Sequence, residues 1–208
     1  KFKVVVDAVN GAASYALPIL LEKLGCKVIT INCKPDGSFP RGAEPLAHNL
    51  KQLSESVLKN KADVGFATDP DGDRLAVVDE KGVPIGEEYT LTICTDGLLA
   101  KNKIRTPIIT NLSTTMALDE VSKKYNNYVE RSLVGEINVV KKMKEKGSAI
   151  GGEGNGGVIL AESHLGRDSL VGVSLFLNIS VKSFLSFRVS RLFQKPLCLK
   201  AKSFFDFK

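Results

Sequence analysis

The segment TDPDGDRLAVVDE, residues 68–80, sets Asp69, Asp71 and Asp73 at alternate positions around Pro70 and Gly72, just ahead of Arg74. Carboxylates at that density repel one another, and a bound cation relieves the repulsion. Hard oxygen donors suit Mg2+ or Ca2+. A calcium loop of the EF-hand kind also wants acids at positions 1, 3 and 5, and Glu80 even falls at its position 12. That loop requires glycine at position 6, however, where this chain has Arg74. It also lies between helices, whereas strands are expected on both sides here. The arginine points instead to Mg2+ beside a phosphate, the carboxylates holding the metal and the guanidinium holding phosphate oxygens. A plain solvated turn is the alternative, because P-D and D-G are common turn dipeptides. Against it, the loop falls at the C-terminal end of a third expected parallel strand, where open α/β sheets place ligands.

A second loop, Gly151-Gly152-Glu153-Gly154-Asn155-Gly156-Gly157, is stripped of bulk except at two alternate polar positions. It lacks the Lys-Ser/Thr of a P-loop and the glycine order of a dinucleotide fingerprint. A bare glycine turn between strands is one reading. The other is that the carboxylate of Glu153 and the amide of Asn155 meet the hydroxyls of a sugar. His164 and Arg167-Asp168 follow closely, without an assigned role.

Alternating elements must position these loops. KVVVDA (3–8), KVITIN (27–32) and ADVGFAT (62–68) read as strands, and SYALPILLEKLG (14–25) and LAHNLKQLSESVLKN (46–60) as helices. Leu46, Leu50, Leu53, Val57 and Leu58 are expected on the buried face of the second helix. LAVVDEKGVPIG reads as a hairpin turning at 80–82, and residues 87–102 as a helix. The polar stretch KNKIRTP (101–107) is the candidate linker. A second alternation follows: strand 108–111, helix 114–125, strand 128–133, helix 136–147, two strands around the glycine loop, and a helix from 167 to 177. Strand–helix alternation implies parallel pairing covered by helices. The expected fold is α/β, with two consecutive α/β/α sandwich domains and mixed, mostly parallel sheets. Their limits are read as 1–103 and 104–178, with an atypical tail at 179–208.

The net charge of +6 does not mark a nucleic-acid binder. Residues 1–172 carry 22 basic and 22 acidic side chains, so the excess belongs to the C-terminal stretch, along with seven of the ten phenylalanines. No apolar run is long enough to span a membrane. Cys26, Cys33, Cys94 and Cys198 form no C-x-x-C pair. Cys26 is expected to be buried, and reduced thiols suit a cytoplasmic protein.

DPDGDR resembles the metal loop of the α-D-phosphohexomutase superfamily, which includes phosphoglucomutases, phosphomannomutases and phosphoglucosamine mutases. DAVNGAAS, PDGSFP with Glu44-Pro45 and Asn49-Leu50, and GGEGNGGVILAESHLGRDSLVG are similar to its second and third domains, at matching spacing. The EGNGG form is most similar to phosphoglucosamine mutases of Bacteroidetes-type bacteria. The resemblance covers residues 1 to about 178. It implies transfer of a phosphoryl group between the 1- and 6-positions of a hexose phosphate, through a phosphoserine and a hexose 1,6-bisphosphate. Asp69, Asp71 and Asp73 would hold Mg2+, Arg74 would hold phosphate, and Glu153 and Asn155 would hold the sugar. Many members carry histidine where this chain has Gly157, so that side chain's role is left unfilled. The phosphoserine domain would precede residue 1 and a fourth domain would follow, so the chain is expected to be inactive alone. NLSTTMA (111–117) lacks the His-Asn-Pro that follows the reactive serine. A non-catalytic module binding a cation or sugar phosphate is the alternative.

Overall fold

The computed structural model describes residues 2–183. Strands β1 (Lys3–Asp7), β2 (Lys27–Ile31) and β3 (Val64–Thr68) run parallel, connected by α1 (Ala13–Lys23) and α2 (Lys51–Asn60). β4 (Leu75–Val78) returns antiparallel to β3, so the sheet order is β2-β1-β3-β4. β1 and β3 are central and buried on both faces, which explains their unbroken apolar runs. Val4, Val6 and Phe66 pack against Leu17 and Leu21 of α1 on one face. Val5 and Ala67 pack against Leu50, Leu53 and Val57 on the other.

The second unit repeats this plan. It comprises α3 (Thr90–Lys101), β5 (Ile108–Asn111), α4 (Ala117–Lys124), β6 (Val129–Ser132), α5 (Glu136–Lys146), β7 (Ile150–Gly152), β8 (Val158–Leu160) and α6 (Ser169–Ser183). Its sheet order is β6-β5-β7-β8, again with three parallel strands and an antiparallel fourth. The loop after β3 and the loop after β7 therefore occupy equivalent places in the two sheets.

Several expectations shift. The helix expected over 46–60 begins as a 3-10 turn, Ala47–Asn49, before α2. Leu50, Leu53 and Val57 face the sheet, but Leu58 is 54 % exposed, because it lies a full 100° round the helix from Val57. Cys26 is half-buried against the first core, and that burial still raises its thiol pKa. α3 lies before the polar 101–107 stretch, yet its Leu91, Cys94 and Leu99 pack with Ile108, Leu118, Ile150 and Val158 of the second unit. Ile93 of the same helix packs against the first core. α6 runs on to Ser183, and the rest of the basic, Phe-rich tail lies outside the described residues. Among the described residues, no helix is long and apolar enough to cross a membrane.

Candidate functional site

The loop 69–74 leaves the C-terminal end of β3 and turns back into β4. Asp69 is 5 % exposed and its Oδ1 accepts the Arg74 backbone N–H at 3.0 Å, closing the turn. Two neighbours fix the loop from outside. Ala12 donates its N–H to Pro70 O at 2.7 Å, and Ser169, at the start of α6, donates to Gly72 O at 3.0 Å. The approach at α1 is close enough to require glycine: a Cβ on Gly11 would lie 2.4 Å from Pro70 O.

One carboxylate oxygen from each of Asp69, Asp71 and Asp73 falls within a span of 4.8 Å. Burial, followed by the neighbouring Asp73 and Asp71 carboxylates, pushes Asp69 up to about 7. A group so raised is one that a cation would return to its charged form. Asp73 Oδ1 is buried without a hydrogen-bond partner, and Asp71 is exposed. Three oxygen donors, one an orphan and one held out of its ordinary titration range by burial and then by its acidic neighbours, fit a hard divalent cation.

Arg74 lies beside these acids. Its Nη1 donates to Glu44 Oε1 at 3.0 Å, and its Nε is 3.4 Å from Asp69 Oδ2 and 3.8 Å from Asp73 Oδ1. Those last two contacts are ion pairs without hydrogen-bond alignment, since the Nε–H has no hydrogen-bond partner.

The glycine loop meets this one directly. Arg74 and Gly157 form an isolated antiparallel bridge, and Leu75 N–H donates to Gly156 O at 3.0 Å. Asn155 is half-buried, with its Oδ1 accepting from Gly157 N at 3.2 Å. Glu153 is 4 % exposed. Its Oε1 accepts from Asn111 Nδ2 at 2.7 Å and Gly135 N at 3.1 Å, and its Oε2 from Arg167 Nη1 at 2.8 Å. The six sequence-selected residues thus gather where the two loops meet.

Sequence reasoning did not select Glu44, Asn111, Glu136 or Arg167 for this site. Asn111 stands at the C-terminal end of β5, a position at which α/β sheets present ligand-facing groups, and that was its available signal. Glu44 and Glu136 carried none, because their partners are 30 and 31 residues away.

A doubly repeated α/β/α plan with an acidic loop facing a glycine loop defines the class, and comparison with known proteins gives the same answer. The chain belongs to the phosphoglucomutase/phosphomannomutase family. Residues 1–82 match its alpha/beta/alpha domain II, and residues 86–195 match its alpha/beta/alpha domain III. Among curated relatives, a phosphoglucomutase/phosphomannomutase of Thermococcus kodakarensis is 41 % identical over 181 residues, covering 86 % of this chain and 40 % of the relative. A phosphoglucosamine mutase of Pectobacterium atrosepticum is 36 % identical over 184 residues, covering 88 % of this chain and 41 % of the relative. These relatives are named mutases, which are isomerases, and the chain spans about two fifths of their length. The crystal structure of Aspergillus fumigatus N-acetylphosphoglucosamine mutase, in complex with GlcNAc-6P and magnesium, shares the fold. Its TM-score is 0.62 at 15 % identity, covering 86 % of this chain and 46 % of that one.

Proposed function

We propose that this chain is the cation-binding and sugar-binding part of a phosphohexomutase. The parent protein would move a phosphoryl group between the 1- and 6-positions of a glucosamine, glucose or mannose phosphate, by way of a phosphoserine and a hexose 1,6-bisphosphate. The observation that carries this reading is the Arg74–Gly157 bridge, which sets an acidic loop against a loop bearing a carboxylate and an amide.

Asp69, Asp71 and Asp73 would hold Mg2+, which when bound would offset charge on a transferring phosphoryl group. Arg74 would hold phosphate oxygens after exchanging Glu44, an exposed partner (57 %), for the ligand. Asn155 would donate its amide to sugar hydroxyls, and Glu153, now held by Asn111, Gly135 and Arg167, would accept from them once the ligand displaces one of these partners. The phosphoserine would come from outside these residues. Ser169 Oγ, placed near Gly72, belongs to a residue only 1 % exposed and is shut off from a ligand. The family matches support a division of the chain at residues 83–85, with α3 in the second domain. A cytoplasmic location accords with free Cys26, Cys33 and Cys94.

Calorimetric titration with MgCl2, then with glucose 1,6-bisphosphate, tests the reading. The chain should bind Mg2+, and an Asp69→Asn/Asp71→Asn/Asp73→Asn variant should not. Bisphosphate should bind more tightly with Mg2+ present, and Asn155→Ala should weaken it. Equal Mg2+ binding by both proteins, or no bisphosphate binding at any Mg2+ concentration, would remove this function. In a coupled assay with glucosamine 6-phosphate and the 1,6-bisphosphate as primer, the chain alone should stay at background. Turnover that purifies with the chain would place the phosphoryl donor among these 208 residues.

A further inference from the structure

Arg167 receives three carboxylates from three separate segments. Its Nη1 reaches Glu153 Oε2 at 2.8 Å in the loop after β7, and its Nε reaches Glu136 Oε2 at 3.2 Å at the start of α5. Its Nη2 reaches Asp73 Oδ2 in the acidic loop of the other unit. Glu136 also accepts the Arg167 backbone N–H at 2.9 Å, so the arginine is held at both its main chain and its side chain. The side chain is only 13 % exposed. A planar fork engaged on three sides has little rotational freedom left.

We propose that Arg167 is a positioning residue for the cation loop, supplied by the second unit, and that Gly157 exists to admit it. Arg167 takes Asp73 by Oδ2 alone. The other oxygen, Oδ1, is thereby left buried and without a hydrogen-bond partner, 3.8 Å from Arg74 Nε, in a loop whose three aspartates each bring an oxygen within a 4.8 Å span. Outer-shell groups of this kind orient the ligands of metal sites. The route of the side chain supports the second half of the proposal. A Cβ on Gly157 would lie 2.2 Å from Arg167 Cδ and 3.0 Å from its Cγ, so no side chain at 157 coexists with this placement of the arginine. The φ of Gly157 is not in the left-handed region, so space and not backbone conformation demands the glycine. Through Glu153, the same guanidinium connects the acidic loop to the proposed sugar loop.

The inference rests on the reading of loop 69–74 as a cation site, and MgCl2 calorimetry on the 208-residue chain separates the two. Arg167→Met should bind Mg2+ about tenfold more weakly than the unaltered chain. Glu136→Gln, which loosens the arginine without touching the acidic loop, should weaken binding severalfold. Gly157→Ala should match Arg167→Met, and the Arg167→Met/Gly157→Ala pair should be no weaker than Arg167→Met alone, since both changes remove one contact. Thermal unfolding of each variant reports any that fail to fold, and Glu136→Gln and Gly157→Ala each carry the test if Arg167→Met does. Mg2+ binding that is unchanged or tighter in folded Arg167→Met, or in both milder variants, overturns the inference while leaving the cation site standing. Additive losses in the double variant overturn the role given to Gly157. No Mg2+ binding by the unaltered chain overturns the cation site and the inference together.

Discussion

Beneath the acidic loop lies a second arginine whose work is structural. Arg41 and Asp7 are 4 % and 0 % exposed at their side chains, and Arg41 Nε stands 3.0 Å from Asp7 Oδ2. The Nε–H has no hydrogen-bond partner, so this contact is chiefly Coulombic. Nη2 donates to Thr68 O, directly before Asp69, and Nη1 to Gly42 O at 3.3 Å. Asp7 also accepts from Val9 N at 3.0 Å and Asn32 Nδ2 at 3.1 Å. The pair thus stitches the 33–46 segment across the ends of β1 and β3. Arg41→Met should cost about 3 kcal/mol in urea unfolding, because it strands a buried carboxylate. Arg41→Met combined with Asp7→Asn should recover part of that loss. A cost under about 0.5 kcal/mol for the single change, typical of surface substitutions, would show that water already reaches Asp7.

At the scale of elements, α2 is seated on β3, the strand from whose end the acidic loop leaves the sheet. Gly65, in the middle of β3, makes this close packing possible: a Cβ there would lie 2.8 Å from Val57 Cγ2 and 3.0 Å from Leu53 Cδ1. Gly65→Ala should destabilise the protein by about 1–3 kcal/mol through overpacking, read as a fall in the thermal midpoint. A neutral or stabilising result would mean that α2 slides at no cost. The elements themselves were legible where periodicity is strong. Strand 108–111 was read at its observed limits, and the helix read at 136–147 forms over Glu136–Lys146. Leu58 was misplaced because neighbouring apolar residues do not reveal which of them faces the sheet until the sheet is present. The α-helical geometry starts only at Lys51, after the 3-10 turn Ala47–Asn49, later than the apolar spacing from Leu46 indicates.

At the scale of the whole molecule, α6 belongs to both cores. Val173, Phe176 and Leu177 join the first, and Leu175 joins the second. The Phe176 ring meets that of Phe66 edge-on, with centroids 5.4 Å apart and planes at 86°. Aromatic burial of this kind is worth about 3–5 kcal/mol against alanine. The two units should therefore unfold in one transition, and Phe176→Ala should lower stability by that amount. Two separate transitions in the unaltered chain, seen by calorimetry, would show that α6 does not couple them.

The chemistry of the site was written locally. Three alternating aspartates, an arginine, and a glycine loop with one acid and one amide can be read without coordinates, because residue type and spacing are properties of a few adjacent positions. The α/β plan could be read for the same reason, since the periods of 2 and 3.6 are local. What the sequence did not disclose is which distant side chains complete the site. Arg167 stands 94 residues from Asp73, and nothing in either neighbourhood announces the other. Gly157 shows as a missing side chain, but only packing shows that Arg167 fills its space. Likewise, the polar 101–107 stretch shows where the chain crosses the surface, while the side on which α3 buries its leucines was decided by the sheets available to cover them. Such pairings arise when two separately encoded sheets are pressed together by a shared helix, and that is a property of the assembled fold.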